Sequence, residues 1–148
     1  MSPVAGSRKV LTGGLLLLAG YACARPAAPE RAAPAAYCEA GDTTMVRDVV
    51  YFGRNRPGGG VVSEAEWQDF LDQVVTPRFP NGLTVVHGDG QWRGQSGMVE
   101  REQAEVLTLL HGGSAESRKA VAEVVSEYKQ RFGQEAVLRE RLSACASF

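Results

Sequence analysis

The sequence predicts one α+β domain in which strands and helices follow the order β-α-β-β-α-β. Two segments, 67–75 and 121–132, carry apolar residues at helical spacing. Four other segments are rich in β-branched and aromatic residues, and these predict strands. The order is typical of the ferredoxin-like fold, a four-stranded antiparallel sheet of spatial order 4-1-3-2 with both helices on one face.

The first strand and helix have the clearest local signals. MVRDVVYFG (45–53) predicts the strand, and SEAE (63–66) is a capping box in which Ser63 and Glu66 satisfy each other's backbone N–H groups. Pro77 disfavours helical geometry at the residue before it and so ends the helix. The predicted buried stripe of this helix consists of Trp67, Phe70, Leu71, Val74 and Val75.

The second half of the domain repeats the alternation of strand and helix. LTVV (83–86) begins a strand that continues toward Trp92, and RGQSG (93–97) predicts a turn into a third strand over about 98–111. Ser114 is a good N-cap for the second helix, and EAVLRERLSAC (135–145) predicts the fourth strand. The second buried stripe consists of Val121, Val124, Val125, Tyr128 and Phe132.

The N-terminal segment is predicted to be a signal peptide, residues 1–22. Arg8 and Lys9 precede VLTGGLLLLAG (10–20), an apolar run too short to span a bilayer. LLAGYAC resembles a lipobox ending at Cys23, although Gly20 and Tyr21 depart from the usual pattern. Lipidation of Cys23 and ordinary signal-peptidase cleavage nearby therefore stand as alternatives.

Residues 23–41 are predicted to link that end of the chain to a folded head over residues 42–148. ARPAAPERAAPAA (24–36) has no large apolar residue, so it is expected to form an extended tether. This order, in which a candidate lipid anchor is followed by a tether and a folded domain, predicts an exported protein of the periplasm or outer surface. Lipidation would attach it to the membrane.

The three cysteines are Cys23, Cys38 and Cys145. In the predicted sheet the end of strand four lies near the start of strand one, so Cys38 and Cys145 can approach each other. Export places them in an oxidising compartment. We therefore predict a Cys38–Cys145 disulfide that closes a loop of about 107 residues; two free thiols are the alternative.

Several segments together resemble one bacterial family. They are VYFGRNRPGG, VVSEAEWQDFLDQVVTPRFPNGLTV, GDGQWRG, EYKQRFGQEAVLR and ACASF, all between residues 42 and 148. The chain resembles the domain-of-unknown-function family numbered 3574, a group of small secreted or lipoprotein-like proteins. The resemblance supports the limits of the domain and implies no activity.

The composition and motifs exclude several function classes. A formal charge of −1 with interspersed signs is not typical of a nucleic-acid binder. The loop RPGGGVVSE (56–64) lacks the GK[ST] of a phosphate-binding Walker motif, and the chain has no G-x-S-x-G nucleophile elbow. We expect no cofactor.

A metal site shared by the two histidines is not expected. If strands two and three pair around the 93–97 turn, His87 falls opposite about Gln103 and far from His111. A backbone contact at a strand end is the predicted role of each histidine, and we expect no metal.

Two hypotheses of function remain. The first is a binding module for a small molecule or an envelope protein, and the second is a small cofactor-independent enzyme acting as a dimeric α+β barrel. A closed pocket in which Tyr51 and His111 converge would favour the enzyme. The candidate binding residues, on the open sheet face and at the ends of strand two, are Arg47, Tyr51, Arg78, Phe79, Gln91, Trp92 and His111, with Arg93 beside them.

Overall fold

The computed structural model describes residues 38–94 and 97–148. The predicted signal peptide, the candidate lipidation site Cys23 and the tether before Cys38 lie outside the described residues. Among the described residues, no helix has the length and apolar character needed to cross a membrane.

The described residues form a four-stranded antiparallel sheet with two helices, which confirms the ferredoxin-like fold. The spatial order is β2-β3-β1-β4, as the sequence predicts. β1 pairs with both β3 and β4, and β2 pairs with β3 alone. The elements are β1 (Thr43–Gly53), α1 (Glu64–Phe70), β2 (Thr84–Arg93), β3 (Val99–His111), α2 (Ala115–Phe132) and β4 (Leu138–Ala146).

The capping box begins α1 as predicted. The Ser63 hydroxyl accepts from the Glu66 N–H at 3.3 Å, and the Glu66 carboxylate accepts from the Ser63 N–H at 2.9 Å. After Phe70 the helix widens into a π-helical turn over Leu71–Val75, in which the Thr76 N–H donates to the Leu71 carbonyl at 2.8 Å. The sequence did not predict this turn, because apolar spacing over five residues does not separate an α turn from a π turn.

The core lies between the sheet and the helices and is built around aromatic rings. The Tyr128 ring lies 4.6 Å from that of Phe52 and 4.7 Å from that of Phe132, centroid to centroid. Trp67 and Phe70 of α1 complete the cluster, and both are fully buried. The Tyr128 hydroxyl donates to the Gly53 carbonyl at 3.0 Å, so its polar atom is satisfied inside the core.

The β2–β3 register differs from the expected one by two residues. His87 lies opposite Glu105, and Asp89 takes the place opposite Gln103. The reason is that Arg93 remains in the strand, paired with Val99, so the connection is centred one residue later than the predicted turn. A shift of two residues leaves every side chain on its expected face, so the alternation of apolar residues does not reveal it.

Cys38 and Cys145 form the predicted disulfide, with their Cα atoms 5.3 Å apart. The pairing of β1 with β4 explains the contact, since Cys145 lies opposite Thr44, near the start of β1. The bond joins residues 107 positions apart and encloses every helix and strand except the last residue of β4.

Candidate functional site

The two faces of the sheet differ in chemistry. On β1, Asp48, Val50 and Phe52 point toward the helices and are fully buried, a side we call the closed face. Arg47 and Tyr51 alternate with them and lie on the opposite side, the open face. The open face also presents large apolar side chains to solvent, namely Val86, Leu110, Leu138 and Leu142.

A cleft of 390 Å³ lies at one end of the open face, and we call it the open-face cleft. β3 pairs with β1 only as far as Ala104, opposite Gly53, so the first residues of β3 pair with β2 alone. The loop that follows β1 and the loop that precedes β4 lie beside this part of the β2–β3 hairpin. The cleft lies between the hairpin and these two loops. Three small residues on the open face, Gly53, Gly90 and Ala104, leave the space.

The larger side chains of the open-face cleft are aromatic, acidic and apolar. Trp92 lies opposite Glu100 in the β2–β3 ladder, and Glu102 lies opposite Gly90. Tyr51 lies opposite Leu138 in the β1–β4 ladder. All five side chains project from the open face because the ladder registers place them there.

The open-face cleft carries more negative than positive charge. Glu100, Glu102 and Glu135 line it, and none of the ion pairs among residues 38–94 and 97–148 involves them. The Glu102 carboxylate accepts from the Asn55 N–H at 3.1 Å and lies over Gly53, where a Cβ atom would overlap it. Arg56, the cationic side chain of the lining, is already paired with another carboxylate outside it.

Two contacts occupy the Arg56 guanidinium. Its Nη2 lies 2.6 Å from Glu66 Oε1, and its Cζ lies 5.4 Å from the centre of the Phe132 ring. The first contact neutralises the charge and the second directs the group toward α2. The three carboxylates of the cleft therefore have no ion-pair partner among the described residues.

Tyr51 is held as a hydrogen-bond donor. Its hydroxyl donates to Glu140 Oε1 at 3.2 Å. Loss of hydration raises the pKa of Tyr51, and the hydrogen bond to Glu140 raises it further, so the phenol keeps its proton at neutral pH. Tyr51 thus offers the cleft an aromatic surface and no basic group.

His111 lies on the closed face, away from Tyr51. Its Nε2 contacts Asp48 Oδ2 at 2.8 Å, and its Nδ1 accepts the Gly113 N–H at 3.0 Å. Both ring nitrogens are therefore engaged, and the ring proton belongs to Nε2. Tyr51 and His111 lie on opposite faces and do not converge.

Asp48 is the centre of a buried ionic cluster. Arg139 donates to it from Nε at 2.7 Å and from Nη2 at 2.9 Å, and Arg141 Nε lies 3.2 Å away. Burial raises the pKa of Asp48, but hydrogen bonds from Arg139 and His111, the charge of Arg139 and a hydrogen bond from Arg141 outweigh it and lower the pKa to about 2. The cluster joins β1, β3 and β4.

The remaining predicted residues lie elsewhere. Arg78, Phe79 and His111 line a second groove, of 670 Å³, at the other end of the sheet. Gln91 and Trp92 line the open-face cleft with Tyr51. The four large side chains at the two ends of β2 therefore divide between two sites. Arg47 is exposed on the open face between them, and Arg93 Nη1 donates to the Gly97 carbonyl at 2.7 Å, within the hairpin connection.

Residues 47–148 match the family described as "Protein of unknown function (DUF3574)". The chain belongs to this family. The matched region begins within β1 and runs to Phe148, so it contains both helices, the other three strands and the lining of the open-face cleft. A comparison with curated proteins gives no match.

Solved structures similar to the DUF3574 domain share its fold. A phage SAM lyase in complex with S-methyl-5′-thioadenosine has a TM-score of 0.56 at 15% identity, covering 76% of this chain and 94% of the lyase. A phage SAM lyase in the apo state has a TM-score of 0.50 at 18% identity, covering 73% of this chain and 91% of the lyase. CutA from Synechococcus elongatus PCC7942, complexed with Bis-Tris, has a TM-score of 0.47 at 11% identity, covering 72% and 87%.

The sequence did not predict that carboxylates line the open-face cleft. Glu100, Glu102 and Ala104 alternate along β3, which places them on one face, but only the register brings them beside Trp92 and Gly53. A correct register of the β2–β3 hairpin is the one signal that would have grouped them.

Proposed function

We propose that the DUF3574 domain binds a small, positively charged organic molecule in the open-face cleft. The observation that carries this proposal is the position of three carboxylates without paired cations beside Trp92 and Tyr51. We favour binding over catalysis because Tyr51 and His111, whose convergence would have supported the enzyme hypothesis, lie on opposite faces.

The chemistry of the cleft suits a cation that has an apolar part. A cation over the face of Trp92 gains about 0.5–2 kcal/mol, and the nearby carboxylates of Glu100 and Glu102 add Coulomb attraction. Leu138 and the small residues at the base offer apolar contact. The volume of 390 Å³ lies within the range of about 300–1,000 Å³ typical of small-molecule sites.

S-adenosylmethionine is a suitable first probe. The phage SAM lyase shares the fold of this domain and holds S-methyl-5′-thioadenosine. S-adenosylmethionine is a sulfonium cation, whereas S-methyl-5′-thioadenosine is its uncharged thioether relative. The thioether also lacks the aminobutyrate chain of S-adenosylmethionine, so this pair tests the charge and that chain together, whereas an aryl ammonium and its neutral isostere test charge alone.

Titration calorimetry of the full chain with both compounds, and with phenyltrimethylammonium and its uncharged isostere tert-butylbenzene, tests the proposal. We expect each cation to bind more tightly than its neutral counterpart. Trp92→Ala and Glu102→Gln should each weaken cation binding about tenfold, which is about 1.4 kcal/mol. Asp89→Asn, an exposed carboxylate outside the cleft lining, is the matched control and should bind as the wild type does.

Equal affinity for each cation and its neutral counterpart would overturn the proposal, and so would wild-type affinity in both cleft variants. Amide chemical shifts give a second readout, since bound probe should perturb residues of β2 and β3 that face the cleft.

We also infer that the domain functions outside the cytoplasm, anchored through a lipid on Cys23. The disulfide between Cys38 and Cys145 supports export, because such bonds persist in oxidising compartments. Membrane fractionation and intact mass of the mature protein test the anchor; an unmodified chain that begins after Cys23 would exclude it. A second copy or an envelope protein on the open face stays a prediction.

A further inference from the structure

We propose that Glu64, His87 and Glu105 form a zinc-binding site on the closed face. The site lies apart from the open-face cleft and does not depend on the function proposed for it. A carboxylate oxygen of each glutamate and a ring nitrogen of His87 all lie within 4.8 Å of one another. Ligand atoms of a tetrahedral zinc ion are about 3.3–3.6 Å apart, so movements of about 1 Å by these side chains would bring all three onto an ion.

The three ligands come from three different secondary-structure elements. His87 on β2 lies directly opposite Glu105 on β3, and Glu64 is the first residue of α1. The prediction of no metal site rested on the distance between His87 and His111, with His87 placed opposite Gln103. The observed register instead gives His87 a carboxylate partner, with His87 Nδ1 2.6 Å from Glu105 Oε2.

Glu105 is the decisive residue. Its side chain is 1% exposed, and one carboxylate oxygen, Oε1, accepts from Arg54 Nη1 at 2.8 Å. The other oxygen, Oε2, is buried, points to His87 and has no hydrogen bond of good geometry. Buried carboxylate oxygens are nearly always satisfied, and a cation shared with His87 and Glu64 would satisfy this one.

Arg54 holds the two carboxylates in place. Its Nη1 donates to Glu64 Oε2 at 3.1 Å as well as to Glu105, while its Nε donates to the Val62 carbonyl at 2.8 Å. This arrangement resembles the outer-shell hydrogen bonds that orient metal ligands. Its positive charge also opposes a second cation, so the ligands and Arg54 together carry a formal charge of −1 when His87 is uncharged. A divalent ion is therefore attracted, but less strongly than by the ligands alone.

The ligand set favours zinc over magnesium and calcium. An imidazole with two carboxylates suits zinc, whereas magnesium and calcium prefer oxygen ligands throughout. The side chains of His87 and Glu64 are 66% and 56% exposed, so one side of the site faces solvent. Three protein ligands leave a fourth position on the ion for water.

Zinc titration of the full chain, with its disulfide kept oxidised, tests the proposal. We expect the wild type to bind one more equivalent of Zn²⁺ than His87→Ala, and Mg²⁺ not to compete. His87 is exposed, so this variant should fold, and circular dichroism checks that it does. Glu127→Gln, which removes an exposed carboxylate on α2, should bind zinc as the wild type does.

Cobalt gives an independent readout, because bound Co²⁺ should show visible absorption bands in the wild type that weaken in His87→Ala and Glu64→Gln. Equal zinc stoichiometry and affinity in the wild type and His87→Ala would overturn the proposal. Absence of saturable zinc binding by the wild type would overturn it as well.

Discussion

His111 Nε2 and Asp48 Oδ2 lie 2.8 Å apart on the closed face of the sheet. The contact joins the last residue of β3 to the middle of β1, and Arg139 and Arg141 join the same carboxylate from β4. Charge-assisted hydrogen bonds to Asp48 therefore link three strands of the sheet. The histidine that the sequence offered as a binding residue is a structural partner of this carboxylate.

Replacing Asp48 by asparagine should destabilise the domain by about 2–3 kcal/mol. The amide cannot balance the charges of Arg139 and Arg141, which are partly buried beside it. Urea unfolding followed by circular dichroism measures the change. Asp89→Asn, at an exposed position on β2, should change stability by less than about 0.5 kcal/mol; an equal loss in both variants would contradict the role of Asp48.

Lowering the pH should remove the stabilisation that the ionised Asp48 carboxylate contributes to the fold. Because the pKa of Asp48 in the folded state is lowered from 3.8 to about 2, its ionised form stabilises the fold above about pH 4. The contribution, about 2 kcal/mol, is lost as pH falls from about 4 through about 2. Unfolding free energies at several pH values should fall more steeply for the wild type than for Asp48→Asn in this window. Parallel curves would show that Asp48 does not titrate there.

Removal of the disulfide should cost about 4–5 kcal/mol by chain entropy, because the bond closes a loop over a separation of 107 residues. The double variant Cys38→Ser with Cys145→Ser avoids leaving either partner of the bond as an unpaired thiol. Denaturant midpoints of this variant and of the wild type, with and without reductant, measure the loss. Reduction should destabilise the wild type and leave the double variant unchanged; two free thiols in the unreduced wild type would refute the bond itself.

Gly53→Ala should affect the open-face cleft more than the fold. The new Cβ would overlap the Glu102 carboxylate, which is the movable end of a flexible side chain, and would push it off the Asn55 N–H. We expect a stability change below about 1 kcal/mol and a several-fold weaker affinity for the cationic probe. Gly88→Ala is the matched control, since nothing lies within 4 Å of its added Cβ. Unchanged affinity in Gly53→Ala would argue against a role for Glu102.

The elements of the fold were predictable because local signals and periodicity agree. The capping box at Ser63 and the two apolar stripes identify the helices, and their order determines the sheet. The disulfide followed from that order, since it brings Cys145 beside the start of β1.

The open-face cleft was only partly predictable. Tyr51 and Trp92 were visible as large side chains on the sheet, but Gly53 and Gly90 matter through the space they leave, which no pattern reveals. The register of β2 against β3 depends on the geometry of the hairpin connection. A two-residue shift preserves the faces, so the apolar alternation carries no information about whether His87 lies opposite Gln103 or Glu105.

The position of the disulfide also has a mechanical consequence. Cys38 precedes β1, and Cys145 is the penultimate residue of β4. A pull applied between the chain before Cys38 and the chain after Cys145 passes directly through the sulfur–sulfur bond. Most of the sheet and both helices lie within the covalent loop and are bypassed by that tension, so stretching the chain from both sides does not unravel them.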